Sequence, residues 1–381
     1  MILWVAASHA LTLAEAVQRA GEIDPAALSA TWVAEQDRLS AAEGWARLGV
    51  TPELKVSRTL SSGAVAGKSE VRVDVGALDA SAWFDAARLG SDAAVDRYAA
   101  AATRLDAQYA AAQLFLAARA AEDALEQRKS EEAAARGVAD VVSKRVAAGV
   151  DSALVGRSAE AAALVAKSRR IRAEAEVASA RRRLSRALET EDLGALTAPD
   201  PLTLPEAGTS ESPWLAAEKA RGQSAKLDHA RAIAAWLPVG GLRLSTPLDL
   251  PGLSVTASLT WSLDGVVNPF LEERRTALAV RIADTQYAAL KADLARDVDV
   301  AVTQARAADE ALAADRSRAA LAAEALAAGE QALSAGVVST IELLRLQDDL
   351  SAAQVAMVAS DLEACTATLD ARHAAGLPVL P

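Results

Sequence analysis

The chain has 381 residues, 52% of them hydrophobic but only 3% aromatic, and a formal net charge of -11. So few aromatic side chains in an alanine-rich sequence argue against the compact core of an enzyme and for long helices packed at close range. The acidic balance excludes a general nucleic-acid binder. A single cysteine, Cys365, excludes an internal disulfide, and three scattered histidines (His9, His229, His373) offer no metal cluster, so no cofactor is expected.

In chain order, residues 1–10 are apolar and close on Ser8-His9-Ala10, the small-x-small pattern of signal cleavage. They are expected to be an export signal, short and without a basic start. No run of about 18 apolar residues follows anywhere, so a membrane role must come through β-strands. The first predicted strand, 52–60, sets Leu54, Val56 and Leu60 against Lys55, Ser57 and Thr59, with Arg58 intruding on the apolar side. The second, 69–78, sets Val71, Val73, Val75 and Ala77 against Glu70, Arg72 and Asp74, after a loop from Ser61 through Gly67. A proline-free stretch from about Phe84 to Ala147 predicts a helix approaching ~100 Å at about 1.5 Å per residue. Gly149 suits its C-terminus and Ser152 caps the next helix, to about Leu188, so a hairpin tip is expected at 149–152. A segment rich in Pro, Thr, Glu and Ser (193–213) follows. Strands three and four, 239–246 and 253–263, are again amphipathic, and the latter alternates Leu253, Val255, Ala257, Leu259 and Trp261 with Ser and Thr. A second long helix from about Leu271 ends at a tip spanning Gly336, Val337, Val338 and Ser339, and a last helix runs to about Ala374. Apolar residues recur at helical spacing, as in Leu312, Leu321, Leu326 and Leu333. Carboxylates such as Asp348 and Asp349 read as solvated helix surface.

The order repeats. Ala147-Ala148-Gly149-Val150-Asp151-Ser152 returns as Ser334-Ala335-Gly336-Val337-Val338-Ser339, an offset of about 187 residues. The halves are 11–197 (hairpin about 84–190) and 214–381 (hairpin about 269–375), joined by a linker at 198–213. Four strands of about 9–11 residues with one polar face match membrane strands lining water, yet four cannot close a barrel. Three copies supply twelve. Trp45, Trp83, Trp236 and Trp261 sit at or near strand ends that an up-and-down arrangement gathers at one rim, where indoles favour a membrane interface.

With these residues in view, the chain resembles the TolC-type outer membrane efflux proteins over nearly its whole length. Leu11-Thr12-Leu13-Ala14-Glu15-Ala16-Val17 is similar to the family's first helix, as is the passage from Ala41 through Pro52. The stretch from Ala335 through Gln347 is similar to its second hairpin tip. The resemblance implies a mixed α and β fold: a homotrimer whose twelve-stranded transmembrane barrel continues into a periplasmic α-helical coiled-coil barrel. It also implies conduction rather than catalysis, in the outer membrane of a Gram-negative bacterium, with a periplasmic adaptor and an inner-membrane efflux transporter or type I exporter as partners. Carried over by residue, the adaptor contacts are Gly149, Val150, Asp151 and Ser152, with Gly336, Val337, Val338 and Ser339. An acidic ring at the periplasmic constriction falls on Glu342. The family's second acidic position is Arg345 here, which allows a Glu342–Arg345 link at i, i+3 instead. The competing reading is a periplasmic coiled-coil adaptor or scaffold, which usually carries one hairpin and no amphipathic membrane strands.

Overall fold

The computed structural model describes residues 10–48, 50–61, 64–75, 80–199, 201–205, 212–236, 239–247, 254–260, 267–335 and 337–380. The expected signal, all but Ala10, and Gly336 and Trp261 lie outside them. The elements are α1 (Leu13–Ile23), α2 (Pro25–Arg47), β1 (Val50–Ser61), β2 (Ala64–Val75), α3 (Ala80–Ala147), α4 (Ala153–Ala187), α5 (Pro213–Ala234), β3 (Val239–Pro247), β4 (Ser254–Thr260), α6 (Val267–Ser334) and α7 (Thr340–Ala374). They form two compact units: unit 1 (Met1–Asp24, Arg104–Ser210, Leu294–Pro381) and unit 2 (Pro25–Thr103, Glu211–Asp293). Among the described residues, no helix is long and apolar enough to cross a membrane.

Unit 2 holds a four-stranded antiparallel sheet in the order β1-β2-β3-β4. Its register keeps the sequence alternation in phase. Pro52 pairs with Val73, Val73 with Leu244 and Leu244 with Val255, and the next row pairs Thr51, Asp74, Arg243 and Thr256. A slip of one residue would set apolar against polar along every row. Strand β2 starts five residues earlier than its alternation suggested, and the expected end at 76–78 lies outside the described residues. Gly67, read from sequence as part of the turn, pairs with Arg58 inside the ladder, because backbone pairing continues through small residues that carry no alternation signal. The long helices also start earlier than expected, at Ala80 and Val267.

The unit 2 helices are joined as a row. Trp45 of α2 meets Trp83 of α3 edge to face at 5.9 Å. Burial, with Asp37 of α2 hydrogen-bonded alongside, pushes the Asp96 carboxyl of α3 up. From α3 to α5, Arg88 pairs with Asp228 (3.2 Å) and Asp85 with Arg231 (3.0 Å). From α5 to α6, His229 Nδ1 lies 3.1 Å from Thr276 Oγ1, and Lys226 pairs with Asp284. The helix order α2–α3–α5–α6 thus follows the order of the strands they adjoin.

Unit 1 packs two helical hairpins, α3–α4 and α6–α7, along seams with a seven-residue step. Ala159, Ala166 and Ala173 are buried on α4, Ala305, Leu312 and Ala319 on α6, and Leu343, Ala364 and Ala371 on α7. A seven-residue repeat imposes a left-handed supercoil, and alanine at the contact lets helix axes approach to about 8 Å. Leu321 falls off this step and is 66% exposed, which corrects its place in the apolar series. A Cβ on Gly329 of α6 would come within 2.6 Å of Leu346 Cδ1 on α7, a measure of how closely that hairpin packs.

The larger buried side chains of unit 1, Phe115, Leu184, Leu188, Leu369 and Val379, belong to α3, α4, α7 and the chain after them. The segment between Leu188 and Pro205 is held by arginines that donate to its backbone: Arg119 to Leu196 O, Arg181 to Gly194 O, and buried Arg372 to Thr203 O. Leu11 adds a parallel bridge to Leu196. Phe115 is fully buried, so Phe115→Ala is expected to cost about 3–5 kcal/mol, read as a lower denaturant midpoint.

Candidate functional site

The two hairpin tips share one backbone design. At the first, Gly149 adopts φ +72°, Gly149 N–H donates to Val146 O at 3.0 Å, and Val150 N–H donates to Arg145 O at 2.9 Å. This is a Schellman closure, and only glycine takes that φ without strain. At the second, Val337 N–H donates to Ala332 O at 2.9 Å, the same five-residue reach at the duplicated position. Ser152 and Ser339 then cap α4 and α7 with nearly identical dihedrals (φ -78° and -81°, ψ 154° in both). Val150 and Val337 are 64% and 79% exposed, so each tip presents an apolar side chain to its surroundings.

The side chains differ. Arg145 grips Asp151 through Nε–Oδ2 (2.7 Å) and Nη2–Oδ1 (3.3 Å), and Thr340 Oγ1 donates to the same carboxylate at 3.4 Å. The first tip is thereby tied to the first residue of α7. The duplicated positions are Ala332 and Val338, which cannot form such a clamp. Glu342 donates its backbone N–H to Ser339 Oγ at 3.3 Å, and its exposed carboxylate lies in the first turn of α7, where the helix dipole favours negative charge. Arg345, one turn on, is also exposed. Among the described residues no ion pair joins the two, so the link that their spacing allowed is not made.

Behind the tips lies a groove of about 540 Å³, lined in part by Leu326, Ile341, Leu344, Arg345, Asp348 and Arg169. Arg169 of α4 bridges Glu131 of α3 (2.7 Å) and Asp348 of α7 (2.8 Å). Burial works to raise the Glu131 carboxyl, but hydrogen bonds from Arg128, Arg169 and Ser351 outweigh it and hold the group below the usual range. Asp348 stays a solvated surface carboxylate, 67% exposed, and adds an ion pair to Arg169. Sequence offered no signal for a contact between residues 179 positions apart. Of the tryptophans, Trp45 and Trp83 touch each other and are each 45% exposed; Trp236 is 39% exposed.

Two supercoiled helical hairpins on duplicated halves, each preceded in the chain by two strands of one four-stranded antiparallel sheet, give this chain the fold of the TolC-type outer membrane channels. The outer membrane protein VceC of Vibrio cholerae superposes with a TM-score of 0.78 at 15% identity, covering 96% of each chain. The outer membrane channel MtrE of Neisseria gonorrhoeae, solved in its open state, gives 0.76 at 18% identity, covering 97% of this chain and 89% of that one. A membrane protein from Pseudomonas aeruginosa gives 0.74 at 18% identity, covering 98% and 91%. No family model matches the chain, and no curated protein does.

The hydrogen bonds from Arg145 hold the Asp151 carboxyl below the usual aspartate range. A depressed carboxylate contributes above its unfolded value of about 3.9, and the contribution is lost as pH falls through the folded value. Amide protection at Val150 and Asp151 is thus expected to fall in Asp151→Asn at neutral pH, and in the wild type only below the usual aspartate range.

Proposed function

We propose that the chain is the outer-membrane exit duct of a tripartite efflux pump or type I secretion system, acting as a homotrimer and not as an enzyme. The observation that carries this reading is the coincidence of two sets of edges in unit 2. Strands β1 and β4 end the four-stranded sheet. Helices α2 and α6, which adjoin those strands, end the helix row. All described large apolar side chains of unit 2 that are more than 50% exposed lie on these two helices: Trp32, Val33 and Leu39 on α2, and Leu271, Leu278 and Ile282 on α6. Unpaired strand edges are not tolerated in hydrocarbon, and apolar faces of this size call for a protein neighbour.

Joining the α2/β1 edge of one copy to the α6/β4 edge of the next satisfies both and generates a closed ring. Two copies would give eight strands, whose interior side chains fill. Three give twelve, the smallest such ring with a watery lumen. In this duct the tryptophans near the strands lie at the lipid interface, and the strands face outer-membrane lipid. The exposed tips at Val150 and Val337, with Gly149, Asp151, Ser152, Gly336, Val338 and Ser339, meet a periplasmic adaptor, and an inner-membrane transporter supplies the energy. Glu342 and Arg345 from three copies line the periplasmic constriction, where alternating charge replaces a purely acidic ring.

Single-channel recording of purified protein in a planar bilayer tests the reading. Discrete conductance is expected, and Glu342→Ala, which leaves the Arg345 cations unopposed, is expected to shift its ion preference towards anions. Protein that stays soluble without detergent and never inserts would overturn the duct. Trp32→Glu is expected to shift detergent-solubilised protein from trimer towards monomer on light scattering.

A further inference from the structure

We infer that Asp37 of α2 and Asp96 of α3 form a proton-sharing latch, which holds these two helices together while one proton lies between the carboxyls and loosens them when it leaves. The inference stands on a contact within one copy. On α2, Ala27, Ala30, Ala34, Asp37, Ala41 and Gly44 recur at steps of three and four and are buried or half-buried. The matching series on α3 is Ala86, Leu89, Ala93, Asp96, Ala100 and Thr103. These are coiled-coil seams of mostly small residues, and each contains a single charged side chain.

The two seams meet antiparallel and in register. A Cβ on Gly44 would come within 2.8 Å of Leu89 Cδ1, so the helices approach closely there. Seven residues back along α2 and seven forward along α3, the same register sets Asp37 against Asp96, and their carboxyls are hydrogen-bonded. Ionised carboxylates only accept, so that bond requires a proton. Like charges at this separation resist ionising together, and the proton belongs to the pair rather than to either residue.

The cations around the pair are matched elsewhere. Arg38, next to Asp37 on α2, is exposed and forked onto Glu35 at 2.6 and 2.8 Å. Asp92, one turn before Asp96 on α3, adds negative charge; it accepts from Ser224 Oγ of α5 at 2.6 Å and pairs with Arg88, which also reaches Asp228 of α5. Arg221 of α5 acts on Asp96 but is held by Glu218 at 2.8 Å. Burial first, then Asp37 and Asp92, push the Asp96 carboxyl up against the pull of Arg221. A carboxyl raised in the folded state contributes stability below its unfolded value of about 3.9, and the contribution is lost as pH rises through the folded value. Acid therefore tightens α2 on α3, opposite in sign to the Asp151 clamp at the first tip. Trp32 and Leu39 lie on the far side of α2 from Asp37. In the proposed duct they meet the next copy, so the latch sets how firmly each copy presents that edge, a consequence that alone rests on the duct.

Amide exchange of the full chain in detergent, corrected for the intrinsic pH dependence of exchange, tests the latch. Protection of residues 30–41, relative to residues 159–173 of α4, is expected to fall as pH rises above about 4. One proton allows up to about tenfold per pH unit. The profile is expected to be flat in Asp96→Asn, whose amide donates to Asp37 at every pH, and in Asp37→Asn, where the roles are exchanged. Infrared titration of the wild type is expected to show a protonated carboxyl band that survives above the usual aspartate range and shrinks in both variants. A flat wild-type profile, which needs no variant to read, overturns the latch and leaves the duct standing, since conductance decides the duct. A slope that both variants retain overturns the assignment to these two residues. Protection restored at neutral pH by millimolar Ca²⁺ and removed by a chelator overturns the proton in favour of a metal ion.

Discussion

Close approach of alanine-lined helices is the constraint on which the rest of this structure depends. A seam of Ala159, Ala166 and Ala173, or of Ala305, Leu312 and Ala319, buries little area per residue and so stabilises little per contact. It must therefore be long, and α3 and α6 each run 68 residues. A wall of such helices has no interior for large aromatic cores, which accounts for an aromatic content of 3%. Fixed polar contacts take over where apolar bulk is missing. Arg169, Arg170 and Arg181 cross from α4 to its neighbours, and Arg128 and Arg169 converge on Glu131.

The duplication sets the backbone and leaves the side chains free to diverge. Both tips close with the same five-residue hydrogen bond and the same serine cap, yet among the described residues only the first has an internal ion pair. In unit 2 the two halves meet in one sheet, where β2 of the first pairs with β3 of the second from Glu70↔Pro247 to Val75↔Leu242. One copy of the ancestral unit thus completes the other. What neither half can do is pair the outer sides of β1 and β4, and in the proposed duct that need is met by other copies.

The sequence showed most clearly what depends on neighbours in the chain. Gly149 and Ser152 marked a tip because a left-handed residue and a helix cap are local requirements. Period-two alternation located four strands, but β2 was displaced because Ala66 and Gly67 pair without alternating. Leu321 read as seam because apolar residues at helical spacing do not reveal which heptad positions face the partner. Asp348 is solvated as its surface setting indicates, but its ion pair was hidden because the partner, Arg169, lies on another hairpin. The Arg145–Asp151 clamp was equally hidden, since the tip's geometry, not its spacing in sequence, brings those two side chains together.

The clasp between Leu188 and Pro205 has a consequence for how this protein can change. Arg119, Arg181 and Arg372 grip it at the carbonyl oxygens of Leu196, Gly194 and Thr203, atoms that every residue type possesses. Recognition through the main chain is blind to side-chain identity. The clasp's exposed positions are therefore free to drift in composition, acquiring new charge or polarity while the grip endures, whereas buried Leu193 and Leu196, and Gly194 at φ +58°, are not. Its length is not free, because inserting or deleting one residue would move at least one carbonyl out of reach of its arginine. Evolution, or an engineer grafting a recognition loop, can rewrite its exposed letters but not its spacing.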